Sequence, residues 1–463
     1  MMRLAMLLLG ADYLRKWWRT FRIVGWLWIA AGLVVFIDAL DDAMYFPVTF
    51  FAWLLIVDGL STLAVAWTGI GGQRVLRYVK GVAFLFAAIL ILAGHHHGNF
   101  ILSMIFGTLF LTDGLLQSLS AWVVRYPRWQ TALLGGAIEI LLAVFFYQPY
   151  PTHYVGTVPY CLGLGLFFSG WSMLILANRV HRLPTTTFGH VMRMQLNDVQ
   201  WQDRKSLSDV DAPLDWDGPP AESEHALTVH VWTPVGSSKQ PGSRRLIVDR
   251  YIASVDANGV ISTGHAALES QEGIYISLYP GVEIDRSPDD FSRLLRATHE
   301  NNIPGLFQPN YQTESDAWCG STIKVRIRNY SPDRLRIFWE EYKKDTTYNL
   351  TYRNCSSSVS RALEAAVEGA IGHLHGPQQG WTPLVRMLFT PELWVAAQIR
   401  KRARTMAWTP GLTLDYARAL SMLVDPRPLG WLKMARLAIK RMARSRKRWR
   451  EERLSVKERV GSQ

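Results

Sequence analysis

Two short stretches carry the residue types best suited to chemistry. One is Tyr348-Asn349-Leu350-Thr351-Tyr352-Arg353-Asn354-Cys355-Ser356-Ser357-Ser358-Val359; the other, well before it in the chain, is Thr263-Gly264-His265-Ala266-Ala267-Leu268-Glu269. A thiol must be helped to its thiolate at neutral pH, and both usual forms of help are legible. Val359, Leu363 and Ala366 or Val367 follow Cys355 at helical spacing, which predicts Cys355 at or just before a helix N-terminus. The positive end of that helix favours a sulfur anion. His265 lies in a short alternating segment, bounded by Gly264 and Ser270-Gln271-Glu272-Gly273, that reads as a strand. A strand imidazole beside a helix-start thiol is the layout of a nucleophile and its base. His265 would take the proton, the Cys355 thiolate would attack an acyl carbon, and water or another acceptor would release the thioester. No cofactor is expected.

The residue that orients His265 is open between two. Side chains alternate along a strand, so Glu269 shares the face of His265. If the hairpin pairs Leu268 with Ile274, Ser277 lies opposite His265; a one-residue slip turns it away and leaves an ordinary strand serine. The backbone N–H of Cys355, with a donor such as Tyr348 or Asn354, would meet the oxyanion, although Tyr348 and Tyr352 serve equally as core aromatics. Cys319, between Trp318 and Gly320, reads as structural, and Cys161 falls in an apolar run. A disulfide between Cys319 and Cys355 is not expected in a reducing compartment.

The surrounding residues supply mixed α/β elements. Residues 246–254 and 261–269 flank Asp256-Ala257-Asn258-Gly259, a strong hairpin signal. A strand over 274–279 stops at Pro280-Gly281, and 322–328 alternates Ile323, Val325 and Ile327. Asp289 or Asp290 would cap a helix carrying Phe291, Leu294 and Leu295. Ser331-Pro332-Asp333 would open another with Leu335, Phe338 and Trp339.

The Gly-His-Ala-Ala-Leu-Glu strand, the Gly273-to-Pro280 strand and the Tyr-Asn-Leu…Asn-Cys-Ser-Ser-Ser-Val helix start together resemble the circularly permuted papain-like hydrolases. That group includes the permuted NlpC-type peptidases and the lecithin retinol acyltransferase-like enzymes, in which the His strand precedes an Asn-Cys helix. The resemblance covers residues 225–375. It implies an α+β papain-like fold with permuted lobes, a cysteine peptidase, amidase or acyl hydrolase, and a polar third member on the strand beside His265. Neither Ser277 nor Glu269 is the commonest choice for that third position.

The chain before position 180 is of another kind. Six apolar runs lie near 21–37, 46–67, 79–93, 100–123, 132–147 and 158–177, at or close to membrane-crossing length. Arg15, Lys16, Arg19 and Arg22 open the first; Arg74, Arg77 and Lys80 follow the second, Arg125 and Arg128 the fourth, Arg179 and Arg182 the sixth. The other three loops carry no Lys or Arg. The positive-inside rule then puts the N-terminus and everything after residue 180 in the cytoplasm, in a multi-pass inner-membrane protein. The apolar stretch from Leu4 to Leu9 is too brief for a signal peptide.

A repeat is visible in this part. Asp58-Gly59-Leu60…Ala66-Trp67 recurs as Asp113-Gly114-Leu115…Ala121-Trp122, and Gly25, Gly81 and Gly136 open the odd-numbered runs at nearly the same period. A third copy at Ser169-Gly170-Trp171 lacks the acid. Three two-helix hairpins follow, and the duplication resembles the HdeD acid-resistance membrane family over residues 20–180. Asp58, Asp113 and Glu139 would line a proton-responsive or ion-binding interior, or serve as hydrogen-bonded packing, which is the expectation. His95-His96-His97 reads as a polar turn, and no metal site is expected.

The predicted organisation is a six-helix transmembrane bundle of three helical hairpins (1–182), a linker (183–224), an α+β permuted papain-like domain (225–380) and a basic amphipathic helical tail (381–463). Strand candidates at 190–196 and 227–232 interrupt the linker and open the domain. In the tail, Leu393, Trp394, Ala397 and Ile399 run into Arg400-Lys401-Arg402, and Leu432, Ala435, Ile439 and Met442 share one side of 431–450. With net charge +12, this tail suits anionic lipid at the inner leaflet rather than nucleic acid. Two function classes follow: a membrane-anchored cysteine hydrolase acting on a peptide or acyl substrate, and a non-enzymatic acid- or stress-response protein with a peptide- or lipid-binding papain-like module. The bond type, amide or ester, and the oligomeric state are not legible.

Overall fold

The computed structural model describes residues 1–40, 46–66, 72–93, 96–126, 129–182, 220, 224–232, 254–255, 261–262, 264–282, 295–374 and 380–425. The chain divides into two compact units, the larger made of residues 1–46, 94–204 and 219–425 and the smaller of 47–93, 205–218 and 426–463.

The N-terminal half is helical: α1 (Met2–Leu9), α2 (Ala11–Asp38), α3 (Val48–Ala66), α4 (Gly72–Leu92), α5 (His96–Val124), α6 (Trp129–Tyr147) and α7 (Thr157–Arg182). Among the described residues, five segments are long and apolar enough to cross a membrane: Lys16–Asp38, Arg74–Leu92, Gly98–Val124, Trp129–Tyr147 and Thr157–Asn178, with Val48–Ala64 a shorter apolar helix. At most 33% of each of the five is covered by protein. Trp26, Val34, Ile89, Leu109 and Leu141 stand exposed among many others. Helices of this character belong in hydrocarbon, where they satisfy their own backbone groups.

In the larger unit α2 pairs with α7 and α5 with α6; in the smaller, α3 pairs with α4. Each pair crosses at two glycines. A Cβ on Gly59 would lie 3.2 Å from Gly81 O, one on Gly114 2.8 Å from Gly136 O, and one on Gly170 2.6 Å from Gly25 O. These are the glycines of the repeat, so the duplication encodes one close crossing three times. Such approach supplies the packing that holds helices together in lipid. None of these is one of the expected hairpins, which would join runs one with two, three with four and five with six; the pairs formed join runs two with three, four with five and one with six. Asp58 is neutralised within its own pair, its Oδ2 2.8 Å from Lys80 Nζ.

The second half is a helix-plus-sheet body. An antiparallel sheet runs in the order β5-β4-β1-β8, from β1 (Leu227–Trp232), β4 (His265–Glu269), β5 (Tyr275–Ile276) and β8 (Ile323–Ile327). A second sheet joins β6 (Leu278–Pro280), β7 (Ile303–Phe307) and β9 (Thr347–Tyr348), and β2 (Ser254–Val255) pairs with β3 (Ile261–Ser262). The helices are α8 (Tyr311–Ala317), α9 (Pro332–Tyr342), α10 (Cys355–Ala366), α11 (Ala370–Leu374), α12 (Thr382–Leu388), α13 (Pro391–Thr405) and α14 (Pro410–Val424). Ser331 caps α9, accepting from Arg334 N–H, with Pro332 in the first turn. The expected strand at 190–196, most of that at 246–254, the 256–259 turn, the Asp289/Asp290 cap and the 431–450 helix lie outside the described residues.

Alternation gives the main sheet two unlike faces. Leu227, Val229, Val231, Ala266, Leu268, Val325 and Ile327 pack with Val359, Ala362 and Leu363 of α10 and Leu414, Ala417 and Leu420 of α14. His230, Trp232, His265 and Ala267 look the other way, with Trp232 opposite His265. Two results lie outside the sequence expectations. First, α1 is part of this core: Leu4, Ala5, Met6 and Leu8 are at most 1% exposed and belong to the same cluster as the sheet. Gly10 turns the chain out of α1 at φ 89°, and its Cβ would meet Gly369 Cα at 3.0 Å, while Gly369 N–H donates to Leu7 O (2.9 Å).

Second, the expected boundary at residue 380 falls inside the fold. Leu384, Met387, Leu393, Ala396, Leu414 and Leu420 all enter the core, so the body extends to Val424. Arg400-Lys401-Arg402, expected to face lipid head groups, pairs instead with carboxylates: Arg400 with Glu364, and Lys401 and Arg402 with Asp113.

Candidate active site

The loop before Cys355 is shaped by two buried residues. The Arg353 guanidinium donates to the carbonyls of Thr347 (2.8 Å), Tyr342 (3.1 Å) and Asp345, and lies over the Tyr342 ring. Asn354 is the N-cap of α10: its Oδ1 accepts from Ser357 N–H (2.8 Å), and Ser357 Oγ accepts from Asn354 N–H (2.9 Å). This reciprocal box fixes the helix start. Cys355 therefore occupies the first helical position, as its spacing predicted, and its N–H is among the first-turn donors with no partner inside the helix.

Asn354 cannot also be the oxyanion donor. Its Nδ2 donates to Leu350 O (2.8 Å) and Trp408 O (2.9 Å), which uses both amide hydrogens. Tyr348 is buried in β9, paired with Ile303.

Cys355 and His265 come together. They are close enough that each shifts the ionisation of the other, and the sulfur also lies 3.7 Å from Ser356 Oγ. Nε2 of His265 lies 2.8 Å from Ser277 Oγ and 3.1 Å from Glu314 Oε1, so Nδ1 is the ring nitrogen not engaged by these two. Tyr279 stacks on the imidazole (4.2 Å between centroids, 23°) and Trp232 leans against it at 5.4 Å. His265 and Cys355 are 4% and 9% exposed.

The strand pairing explains the Ser277 contact. Leu268 pairs with Ile276, two residues beyond the expected Ile274. A shift of two keeps Ser277 on the face of His265. Tyr279 reaches the ring because the chain continues from β5 into β6. Glu269 is on the same face but four residues along the strand, about 13 Å away, and there it pairs with His230 Nε2 (2.8 Å), whose Nδ1 meets Ser321 Oγ (3.1 Å). Glu269 is thus not the partner of His265.

Glu314, which sequence reasoning missed, fills that place. It sits on α8, capped by Asn310, whose Oδ1 accepts from Thr313 N–H (2.8 Å). Its carboxylate, 3% exposed, accepts from Tyr275 OH (2.6 Å) and Tyr279 OH (2.8 Å) besides meeting His265. The one signal in the sequence is Asn310 as a helix cap with Tyr311 and Glu314 on one helical face.

Electrostatics follow from this arrangement. Burial opposes the imidazolium, but the Cys355 sulfur and the Glu314 carboxylate outweigh it and raise His265 to about 9. Burial likewise opposes the thiolate, yet the charge of His265 lowers Cys355 below its ordinary value. Burial opposes Glu314 ionisation too, and His265 with the Tyr275 and Ser277 hydroxyls lowers it to about 2. These interactions favour the thiolate, the imidazolium and the carboxylate over their neutral forms. Glu314→Gln should move the basic limb of Cys355 reactivity down from about 9, toward the usual range of His, whereas Glu269→Gln should leave it in place. Alkylation rates measured across pH separate the two.

Cys161, Cys319 and Cys355 are all free, and Cys319 is exposed rather than structural, with its carbonyl accepting from Trp232 Nε1 (2.8 Å). Comparison of the chain with protein-family models, curated proteins and solved structures finds no match.

Proposed function

We propose that the protein is a membrane-anchored cysteine hydrolase, a peptidase or acyl hydrolase that works through a thioester on Cys355 at the cytoplasmic face of the inner membrane. The observation that carries this reading is the Cys355–His265–Glu314 row at a helix start. His265 removes the thiol proton, the sulfur attacks an acyl carbon, and the same imidazolium returns the proton to the leaving amine or alkoxide. A water activated by His265 then cleaves the thioester. The N–H of Cys355 is the first donor for the oxyanion, with Tyr348 as the side-chain candidate. Ser277 and Glu314 hold the ring.

The anchor is read as six spans in three pairs. What supports an even number is α1: it shares a core with the sheet, so residues 11–182 begin and end on one side of the bilayer. With five long helices, α3 supplies the sixth crossing. The basic loops favour the cytoplasm for both ends, and the basic composition of residues 431–450 favours anionic lipid. Peptides, proteins and acyl lipids of the inner leaflet are then the substrates within reach.

Full-length protein in phospholipid vesicles, offered a set of activated ester and amide substrates, should carry an acyl adduct on Cys355 that hydroxylamine removes. Cys355→Ala should carry none. An adduct-free wild-type chain would favour the rival reading, a binding module on a papain-like scaffold.

A further inference from the structure

We infer that α13 is a two-sided ionic strap through which the membrane pair α5/α6 holds the helix that begins at Cys355. The repeat supplies the first argument. In the first copy Asp58 is neutralised inside its own pair by Lys80. The register that sets Asp58 on Asp113 sets Lys80 on Gly135, so the second pair brings no lysine to its acid. The cations come from α13: Lys401 Nζ lies 2.6 Å from Asp113 Oδ2 and Arg402 Nη2 2.6 Å from Oδ1, with Glu139 Oε1 of α6 3.6 Å from Lys401. An acid left unpaired in such a helix is costly, which gives α13 a reason to stay docked.

The opposite flank of α13 grips the nucleophile helix. Arg400 binds Glu364 of α10 with two bonds, Nε to Oε1 (2.7 Å) and Nη2 to Oε2 (2.5 Å). Arg404, one turn on, adds a third at 3.3 Å, and Tyr416 OH of α14 donates to the same carboxylate (3.0 Å). Residues 400 and 404 share one helical face while 401 and 402 point elsewhere, so adjacent residues bind different partners.

α5 meets the helix-plus-sheet body at its C-terminal end, where its Val124 carbonyl accepts from Ala297 N–H (2.7 Å), and Asp113 lies within reach of the α13 side chains. Asp113, Lys401, Arg400 and Glu364 are positioning residues: they act on Cys355 through α10.

That effect on Cys355 rests on the thiol reading proposed above, so two measurements are needed. Both use the full chain in phospholipid nanodiscs. The first is trypsin cleavage at Arg400, Lys401, Arg402 and Arg404, which reads the strap alone. Asp113→Asn should speed cleavage there several-fold; Asp58→Asn should not; Asp113→Glu, which keeps the charge, should keep most of the protection. Equal cleavage in wild type and Asp113→Asn, or the same loss in Asp113→Glu as in Asp113→Asn, overturns the strap. The second is the iodoacetamide rate of Cys355 relative to Cys319. Asp113→Asn should lower the Cys355 rate several-fold and leave Cys319 unchanged, with the rate largely kept in Asp113→Glu. A strap that loosens without altering Cys355 overturns the positioning role. A wild-type Cys355 indifferent to His265 instead sinks the hydrolase reading, while the trypsin comparison still judges the strap.

Discussion

His265→Ala should slow alkylation of Cys355 by iodoacetamide at pH 7 about a hundredfold or more. The ordinary thiol value is 9.0, which leaves about one part in a hundred as thiolate at that pH. Burial pushes the thiol higher still, and the imidazolium is what reverses the balance. The pH dependence distinguishes this from a general loss of structure. Without His265 the rate should climb about tenfold per pH unit through neutrality, as for an unassisted thiol. In the wild-type chain it should already be high at neutral pH. Hydrolysis should be bell-shaped, rising as the Cys355 thiol ionises on the acid side and falling near pH 9 as the imidazolium loses its proton. A Cys355 rate that ignores His265 would return this residue to the inert buried thiols.

Deleting residues 2–9 should unfold the helix-plus-sheet body while the apolar helices remain. Met2, Leu4, Met6, Leu8 and Leu9 are each at most 7% exposed within the core of the sheet. Burying a side chain of that size contributes roughly 2 kcal/mol, so the set contributes on the order of 10 kcal/mol, comparable with the whole stability of a domain. Leu8→Asp, a single change, should cost several kcal/mol by putting a charge among apolar neighbours. Proteolysis of 224–425 and the loss of a cooperative thermal transition read both variants. Native-like protection after the deletion would show that α1 merely rests against the core.

Which parts of this arrangement are legible depends on how local their cause is. Cys355 at a helix start and His265 on a strand follow from spacing within a short stretch of chain, and both are readable. So are the apolar helices and the glycine repeat, because each is a pattern in the chain itself. Glu314 is not, since its role comes from α8 lying across the face that holds His265, a tertiary fact with no periodic trace. Glu269 misleads because strand alternation gives a shared face but not a shared position. Asn354 misleads because a helix cap and an oxyanion donor use the same residue type. The limits of the helix-plus-sheet body escape the sequence for a related reason. Leu4 to Leu9 and the apolar residues of 384–424 look peripheral in the sequence, and only packing reveals them as core.

The burial of α1 also has a consequence for how the chain is made. It leaves the ribosome before α2 to α7, yet it finds most of its partners only after α11, α12 and α13 have been synthesised. Until then its Met and Leu side chains lack much of their cover, which makes them a transient target for chaperones. Any nascent chain halted before residue 370 still displays part of them. Completion of the helix-plus-sheet body is therefore a late event in biogenesis, and α1 is the piece that seals it.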